Sequence, residues 1–342
     1  MIAMLRIGSM IERMLRGKIE AHIGLLRSVI LTVAVILIAL SSHDAWSQTT
    51  RTIKIVVPVP PGGGEDILAR LLGDQISRAH KLRIVIENRP GAGGVIGDEA
   101  VSRAVPDGNT LLMMSPGFVI NPQLRKVNYD PLTSFEPICQ LVSVPAILAV
   151  NSASPYRTLA DLLDAARAKP GDLVHATTFG SVFHIGIEML KRAAKVDMIL
   201  VPYPGAAPAV TALLGQHVTS VFYGYPGVVD QMKSGRLRAL ATASRTRIAS
   251  LPDLPTVAES GYKDYEVDFW FGVAAPAKTP NEAVSQLAGW FTAALQAPEV
   301  RAKLDVQGYY PVGLCGADFR TLLRKQYGEY GRVIREENIK AE

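Results

Sequence analysis

The sequence predicts an α/β fold built around parallel β-sheet. Three observations support this prediction: short apolar runs alternate with amphipathic segments of helical periodicity, brief loops connect them, and two of these loops are rich in glycine. A strand followed by a short loop, a helix and another strand is typical of parallel sheets. No internal repeat and no low-complexity linker interrupts the pattern.

The first predicted elements set this pattern. Residues 53–57 form a predicted strand, and apolar residues at helical spacing predict a helix over 66–79. A second strand at 83–87 leads through a glycine-rich turn into a helix that ends near Val101. A third strand covers 110–114.

The later part of the chain continues the alternation. Strands are predicted at 146–150, 174–178, 198–202, 217–223 and 237–242, and helices at 159–168, 207–214 and 228–234. Thr158 is expected to begin the first of these helices as its N-cap. The tail from Pro280 onward is expected to be mostly helical.

The composition is that of an ordinary globular protein. Of the 342 residues, 48% are hydrophobic and 20% are charged, and the formal net charge is +5. The length suggests two domains, and the composition excludes intrinsic disorder, collagen and a disulfide scaffold. The weak positive charge does not support nucleic-acid binding, so we expect no nucleic-acid partner. The six histidines lack the spacing of metal ligands, so we expect no metal site.

The N-terminal segment predicts export. A basic residue precedes an apolar run over 29–40, and the small residues Ala45 and Ser47 fit a signal-peptidase site. We therefore expect residues 1–47 to be a signal peptide with a long N-terminal extension, cleaved near Ser47/Gln48, and the mature protein to be exported. The apolar run is shorter than the roughly 20 residues that a spanning helix needs, so a permanent anchor is the less favoured alternative.

Two cysteines, Cys139 and Cys315, are separated by most of the chain. An oxidising compartment permits a disulfide between them, but the sequence does not show that they meet. Of the two alternatives, unpaired thiols are slightly favoured.

Two glycine-rich turns each follow a predicted strand and precede a predicted helix. The first contains Gly62, Gly63, Gly64 and Asp66, and the second contains Ala92, Gly93 and Gly94. Neighbouring parallel strands end at the same sheet edge, so the two turns are expected to lie side by side with backbone N–H groups and helix N-termini facing one spot. The pair therefore predicts an anion clamp made of backbone. In the alternative interpretation, the glycines only form tight turns.

Neither turn fits a nucleotide-binding motif. A P-loop ends in Gly-Lys-Ser/Thr, whereas Gly64 is followed by Glu65 and Asp66, which would repel phosphates. In the second turn, Ile96 occupies a position where a dinucleotide fingerprint requires glycine. We therefore expect no cofactor.

A third strand-to-helix connection contains four further candidates: Thr178, Gly180, Ser181 and His184. Ser181 fits the N-cap position and His184 follows on the first turn, so both side chains are placed to bind a carboxylate. In the alternative interpretation, Ser181 only caps the helix and His184 packs against the sheet. A serine hydrolase that uses Ser181 is disfavoured, because the sequence lacks a G-x-S-x-G elbow.

Several short motifs occur in order along the chain. They are IVVPxPPGGGxD at 55–66, ENRPGAGG at 87–94, PDGxTLL at 106–112, INP at 120–122, YDPLxxF at 129–135, GSxxH at 180–184, VPYxGxxPA at 201–209, LPDLPTVAESG at 251–261 and WFGVxAP at 270–276. With the exported leader, they make the sequence similar to the periplasmic solute-binding proteins of tripartite tricarboxylate transporters, the Bug receptor family. The likeness covers essentially the whole mature chain.

The resemblance implies a two-lobed periplasmic binding protein, a Venus flytrap in which each lobe is a sheet flanked by helices and the chain crosses between lobes twice. Lobe one would contain 48–148 and 274–342, and lobe two would contain 149–273, with crossings near Val150 and Phe271. Such a protein captures a small organic carboxylate, delivers it to inner-membrane permease subunits and is not an enzyme. We expect a monomer. A sensor that passes its bound state to a signalling protein is the alternative.

The resemblance also implies how the ligand is held. N–H groups of residues 62–66 and 92–94 would bind the carboxylate, while Asp66 would mainly brace its own loop. The second lobe would close over the ligand with Ser181, His184, Tyr203 and Gly205. Ser115, Thr178, Gly180 and Tyr223 complete the candidate set.

Departures from the family pattern bear on specificity. Tyr223 stands where many members have an acidic residue, which would disfavour ligands that carry an amino group. Five aromatic residues are potential cleft residues that would suit an aromatic or less charged carboxylate, unless they belong to the core: Phe118, Phe183, Tyr203, Tyr223 and Tyr225.

Overall fold

The structure, a computed structural model, describes Thr32 and residues 51–340. The predicted signal peptide and its cleavage near Ser47/Gln48 lie outside the described residues. The chain divides into two units between Thr50 and Arg51, and the second unit is the subject of the following paragraphs. Within the described part of the chain, every helix is too short or too polar to cross a membrane.

The helices and strands alternate along most of the chain. The helices are α1 Gly64–His80, α2 Val95–Ser102, α3 Gly117–Leu124, α4 Leu159–Ala168, α5 Val182–Ala194, α6 Ala206–Leu214, α7 Val229–Lys233, α8 Asn281–Gln296, α9 Pro298–Gln307 and α10 Ala317–Glu336, with short 3₁₀ turns at Ala92–Gly94 and Tyr225–Gly227. The strands are β1 Thr52–Val57, β2 Arg83–Asn88, β3 Thr110–Met114, β4 Phe135–Asn151, β5 Val174–Thr177, β6 Ile199–Pro202, β7 Ser220–Gly224, β8 Leu237–Thr242, β9 Asp268–Pro276 and β10 Tyr310–Cys315.

A local signal in the sequence accounts for the start of α4. At the start of α4, the Thr158 hydroxyl accepts a hydrogen bond from the Asp161 amide at 3.1 Å. The Asp161 carboxylate accepts one from the Thr158 amide at 2.9 Å in return. This capping box satisfies two amides that the helix cannot pair internally, and it confirms the predicted helix start.

The strands form one mixed sheet in the order β2-β1-β3-β9-β4-β7-β5-β6, and β8 and β10 also pair with β4. Strand β1 is parallel to β2 and β3, and β5 is parallel to β6 and β7, which confirms the parallel pairing predicted for these groups. Strand β9 runs antiparallel to β3 and β4, and β4 runs antiparallel to β7, β8 and β10. The prediction of a parallel sheet was therefore wrong for the centre of the sheet.

Strand β4 is the longest strand described and joins the two halves of the sheet. Its residues 135–145 pair with β9, whereas residues 146–151 pair with β7 and β8. The sequence predicted a strand only over 146–150, because Pro137 and Pro145 interrupt the apolar run and proline is depleted in strands.

The buried apolar residues of the described chain form three clusters, one on each half of the sheet and one that spans both. On the side of β1, β3 and β9, the buried cluster includes Ile55, Leu68, Leu111, Val273 and Phe291. On the side of β5 and β7, a separate cluster includes Ile147, Ala149, Ala176, Leu213 and Val221. The third cluster contains Val56 and Leu112 together with Leu148, Val150 and Ile185, so the two halves share part of their core.

The two cysteines form a disulfide, which corrects the preference for unpaired thiols. Cys139 of β4 lies opposite Cys315 of β10 in the antiparallel ladder, their Cα atoms are 4.0 Å apart, and the sulfur atoms are bonded. Strand β10 was not predicted, because Pro311 and Gly313 make its sequence resemble a loop. Without β10, the sequence offered no means of bringing Cys315 to β4.

We expect reduction of this disulfide to destabilise the protein. The bond closes a sequence separation of 176 residues, and cross-links of this kind typically contribute about 2 to 5 kcal/mol to the free energy of unfolding. Urea unfolding with and without reductant measures the difference, and the double variant Cys139→Ala/Cys315→Ala, which should not respond to reductant, is the control. Labelling of both thiols by an alkylating agent in unreduced, denatured protein would contradict the assignment.

Candidate functional site

The two glycine-rich loops leave the same edge of the sheet, as predicted. Strands β1 and β2 pair in register, with Val57 opposite Asn88 at their carboxyl ends. The first loop, residues 58–64, follows β1, and the second loop, residues 88–94, follows β2. Each loop leads directly into a helix or a 3₁₀ turn, so the N-termini of α1 and of the Ala92–Gly94 turn lie at one end of the sheet.

The loop backbone adopts conformations that favour glycine. Gly62, Gly93 and Gly94 have φ values of 85°, 68° and 103°, in the left-handed region that most side chains avoid. Gly62, Ala92 and Gly93 are exposed, whereas Gly94 is buried. The exposed tips of both loops are therefore accessible to a ligand.

The loop amides divide into those already hydrogen-bonded and those still available. Gly62 N–H donates to an Asp66 carboxylate oxygen at 2.9 Å, Gly63 N–H to Pro60 at 3.3 Å, and Gly94 N–H to Gly91 at 2.9 Å. Within the described residues, the amides of Gly64, Ala92 and Gly93 have no hydrogen-bond partner. The amides available to a ligand are thus a subset of those expected from the sequence.

Asp66 ties the two loops together. Besides the Gly62 amide, its carboxylate accepts hydrogen bonds from Asn88 Nδ2 and Arg70 Nε, each at 2.9 Å. Burial alone would raise the pKa of Asp66, but the hydrogen bonds from Arg70, Gly62 and Asn88 outweigh it and lower the pKa to about 2. Asp66 therefore braces the loops, in agreement with the role expected for it from the sequence.

Behind the loops lie two buried acids that the sequence did not identify as functional. Glu65 is 4% exposed, and Asp98, on α2, is 2% exposed. Tyr129 donates a hydrogen bond to Asp98 Oδ2 at 3.0 Å. Burial raises the pKa of Glu65 to about 7 and that of Asp98 to about 8. Their burial depends on tertiary packing, so only the position of Glu65 at a helix start was visible in the sequence.

Ser115 directly follows β3 and lies near the second loop. Its Oγ lies 3.9 Å from the point that a Cβ at Gly117 would occupy, and Gly93 O lies 3.8 Å from the same point. Asn121 Nδ2 donates to Gly93 O at 2.9 Å, so α3 also holds the second loop. The first face of the candidate site therefore consists of both loops and Ser115.

The third connection, residues 178–184, forms a second group of predicted residues. Ser181 Oγ accepts a hydrogen bond from His184 N at 3.3 Å and donates to Thr178 O at 2.6 Å. His184 Nδ1 accepts the Gly180 amide at 3.2 Å, and burial lowers the pKa of His184 to about 4. The Ser181 hydroxyl thus bonds to backbone atoms and not to the imidazole, so these residues do not form a nucleophile and base pair.

Tyr223, Tyr203 and Gly205 are near this second group. The Tyr223 hydroxyl shares a hydrogen bond with Thr178 Oγ1 at 3.0 Å, and burial raises its pKa, so it is neutral. Tyr203 N–H donates to Thr177 O at 2.8 Å, and Gly205 begins α6 two residues later. The candidate residues between 178 and 223 therefore lie around the carboxyl ends of β5, β6 and β7.

Two contacts join the halves of the sheet near the candidate residues. A Cβ at Gly180 would lie 3.2 Å from Leu124 Cδ1 of α3. A Cβ at Gly308, before β10, would lie 2.6 Å from the Tyr225 ring in the 3₁₀ turn after β7. The two halves of the sheet therefore contact each other beside Gly180 and beside Tyr225.

The aromatic residues considered for the cleft have different environments. Phe118 is 3% exposed and packs on Tyr129 and Phe135, with ring centroids 5.5 and 4.9 Å away, so it belongs to the core. Phe183 packs on Tyr223 and Phe269, each at 5.2 Å. Phe118 is therefore not a cleft residue, and its burial was not visible in the sequence.

We expect Asp66→Ala to loosen both loops. Loss of the hydrogen bonds to Gly62, Asn88 and Arg70 should lower the free energy of unfolding by about 2 kcal/mol. Because the pKa of Asp66 in the folded protein lies below its ordinary value of 3.8, this contribution is present above about pH 4 and is lost as the pH falls toward 2. Urea unfolding at several pH values measures it.

Asp74→Ala is the matched control, because Asp74 is an exposed acid on the same helix. Its effect should be within about 0.5 kcal/mol. Equal stabilities of the two variants at neutral pH would show that Asp66 does not brace the loops.

Comparisons of sequence and structure identify related proteins. The tripartite tricarboxylate transporter family receptor profile matches residues 68–339. Among individual proteins, the chain is 33% identical over 301 residues to protein BugT of Bordetella pertussis, covering 87% of this chain and 92% of BugT.

Solved structures extend the likeness to the fold. Periplasmic binding protein BugD is 32% identical with a TM-score of 0.70, covering 85% of this chain and 99% of BugD. MatC from Rhodopseudomonas palustris, solved with malate, is 29% identical with a TM-score of 0.70, covering 84% and 99%. An R. palustris protein solved with adipate is 32% identical with a TM-score of 0.74, covering 86% and 99%.

These likenesses confirm the predicted two-lobed periplasmic binding protein fold and the predicted family. The chain belongs to the tripartite tricarboxylate transporter receptor family of periplasmic solute-binding proteins.

Proposed function

We propose that this receptor captures a small organic carboxylate in the periplasm and delivers it to a tripartite tricarboxylate-type membrane transporter. The observation that carries the proposal is the pair of adjacent loops whose Gly64, Ala92 and Gly93 amides have no partner among the described residues. Such amides at the N-termini of a helix and a 3₁₀ turn favour a bound anion, because the backbone dipoles point their positive ends at it.

The ligands of related structures support a dicarboxylate. MatC was solved with malate and a second relative with adipate, both of which are small organic diacids. One carboxylate would bind the two loops, and the other end of the molecule would extend toward the second group of residues. The neutral state of His184 and Tyr223 provides hydrogen-bonding groups there without adding charge.

Closure of the two lobes would complete the site. Strand β4 changes pairing partners between residues 145 and 146, and β9 begins at Asp268, so both connections between the sheet halves pass close together. The lobes proposed from the sequence, 48–148 with 274–342 and 149–273, have bounds within about six residues of these changes of partner. Hinge motion at the two connections would bring residues of the second lobe onto the ligand: Ser181, His184, Tyr203 and Gly205. The closed form would be the one that a permease recognises.

The proposal includes binding without catalysis. The Ser181 hydroxyl is engaged by backbone atoms, which disfavours the hydrolase alternative. The protein is proposed to act as a monomer after removal of a leader near Ser47/Gln48.

Gly93→Asp should abolish carboxylate binding and leave the fold intact. The substitution places a negative side chain beside the free amides, and aspartate tolerates a left-handed backbone better than most residues. Malate and adipate should raise the melting temperature of the wild type, by an amount that corresponds to about 2.7 kcal/mol at a concentration 100 times Kd, but should leave that of the variant unchanged.

Gly235→Asp is the control for backbone strain. Gly235 has φ +71°, close to the +68° of Gly93, has no atom within 4 Å of its Cβ position, and lies outside the candidate site. This variant should respond to ligand like the wild type. Unchanged affinity in Gly93→Asp would show that the loops do not bind the carboxylate.

Diacids without an amine should bind better than acidic amino acids. Tyr223 offers a neutral hydroxyl to an ammonium group, so a cationic substituent gains no ion pair there. Malate and aspartate form a matched pair, since they differ only in a hydroxyl and an amino group, and calorimetric titration compares them directly. Tighter binding of aspartate would contradict this specificity.

A further inference from the structure

The hydroxyl group of Tyr309 lies at the first glycine-rich loop, although Tyr309 is remote from that loop in sequence. The hydroxyl oxygen is 2.5 Å from the point that a Cβ at Gly64 would occupy. That point is about 2.5 Å from the amide nitrogen of Gly64, so the hydroxyl oxygen lies within about 5 Å of this nitrogen. Tyr309 is therefore a neighbour of one of the free loop amides.

The Tyr309 hydroxyl has no hydrogen-bond partner among the described residues. Only 5% of the residue is exposed, and its ring packs edge-on against Phe271, with ring centroids 5.5 Å apart. Burial raises the pKa of Tyr309 to about 12, so the hydroxyl keeps its proton. A buried hydroxyl without a partner is unfavourable, so an acceptor atom brought by a ligand would satisfy it.

Backbone hydrogen bonds fix Tyr309 at the end of α9. Gly308 N–H donates to Asp305 O at 3.0 Å, and Tyr309 N–H donates to Leu304 O at 2.9 Å. With Gly308 in the left-handed conformation at φ 66°, these bonds form a Schellman motif. Strand β10 begins at the next residue, Tyr310. The ring is thus held between a helix end and a strand, which sets the position of the hydroxyl.

The residues on either side of Tyr309 contact the other half of the sheet. A Cβ at Gly308 would lie 2.6 Å from the ring of Tyr225, which directly follows β7. The Tyr310 hydroxyl shares a hydrogen bond with Ser250 Oγ at 2.5 Å. Residues 308–310 therefore extend from the first glycine-rich loop to the turn after β7, along the border between the two halves of the sheet.

One ligand atom can reach both the Tyr309 hydroxyl and the Gly64 amide. Hydrogen bonds are about 2.9 Å long for an amide nitrogen and about 2.7 Å for a hydroxyl, and these lengths together exceed the separation of the two donors. A carboxylate oxygen has lone pairs for two donors. The hydroxyl and the amide thus form a pair of donors that suits an anion.

We propose that Tyr309 is a ligand-binding residue whose hydroxyl donates a hydrogen bond to the bound carboxylate beside the Gly64 amide. This inference rests on the proposed function, and it adds a side-chain donor from the C-terminal part of the chain to a site otherwise made of backbone. The sequence did not indicate Tyr309, because only the tertiary fold brings the segment before β10 to the first loop.

Tyr309→Phe tests the inference, because it removes the hydroxyl and keeps the ring against Phe271. In calorimetric titrations of the purified mature protein, the Kd values of malate and adipate should rise by about tenfold or more, since hydrogen bonds to charged groups are the stronger class. The melting temperature without ligand should not fall, because the hydroxyl has no partner among the described residues.

Tyr327→Phe is the matched control. Tyr327 lies on α10 and packs against a different core cluster from Tyr309, and its hydroxyl also has no hydrogen-bond partner among the described residues. Its Kd values should stay within about twofold of the wild type. An equal loss of affinity in both variants would show that the effect is not specific to Tyr309 and would overturn the inference.

The outcomes distinguish this inference from the proposed function. If neither acid binds the wild type, the proposed function fails and the inference fails with it. If an acid binds the wild type and Tyr309→Phe with the same Kd, the proposed function stands and the inference is overturned. Weaker binding together with a lower melting temperature of the ligand-free variant would assign Tyr309 a structural role and also overturn it.

Discussion

The in-register pairing of β1 and β2 is the constraint on which the candidate site depends. It places Val57 opposite Asn88, so the loops that follow these strands start from neighbouring points on one edge. Asp66 then fixes their separation, because one carboxylate accepts hydrogen bonds from the Gly62 amide of the first loop and the Asn88 side chain of the second. A slip of one residue between the strands would separate these partners.

The electrostatics of this region combine backbone dipoles with buried acids. The free amides of both loops attract an anion, while Arg70 is already paired with Asp66 and Arg89, within the second loop, is paired with Glu87. Glu65 and Asp98 lie behind the loops, and burial favours their neutral forms. A receptor that binds through dipoles in place of a fixed ion pair can release its ligand readily, which suits delivery to a transporter.

The elements predicted correctly from the sequence are those that local sequence signals determine. Apolar runs located β1, β2 and β3, and Thr158 marked the start of α4, because periodicity and capping act over a few residues. Strands β9 and β10 were not predicted, and β4 was predicted only in part, since their partners are distant in sequence and prolines or glycines obscure their pattern. The disulfide was missed for the same reason.

Part of the candidate site was also predictable from the sequence. The adjacency of the glycine loops followed from strand order, and Ser181 was correctly expected to cap a helix. The hydrogen bonds that occupy the Gly62 and Gly94 amides were not predicted, although their partners Asp66 and Gly91 are close in sequence. The burial of Glu65 and the core position of Phe118 were not predicted because they depend on packing against other elements.

The central claim is that free amides of the two loops bind a carboxylate, and a crystal structure with malate or adipate tests it most directly. We expect carboxylate oxygens about 3 Å from the amide nitrogens of Gly64, Ala92 and Gly93, directly or through a bridging water. A diacid bound elsewhere, with these amides facing bulk solvent, would contradict the account.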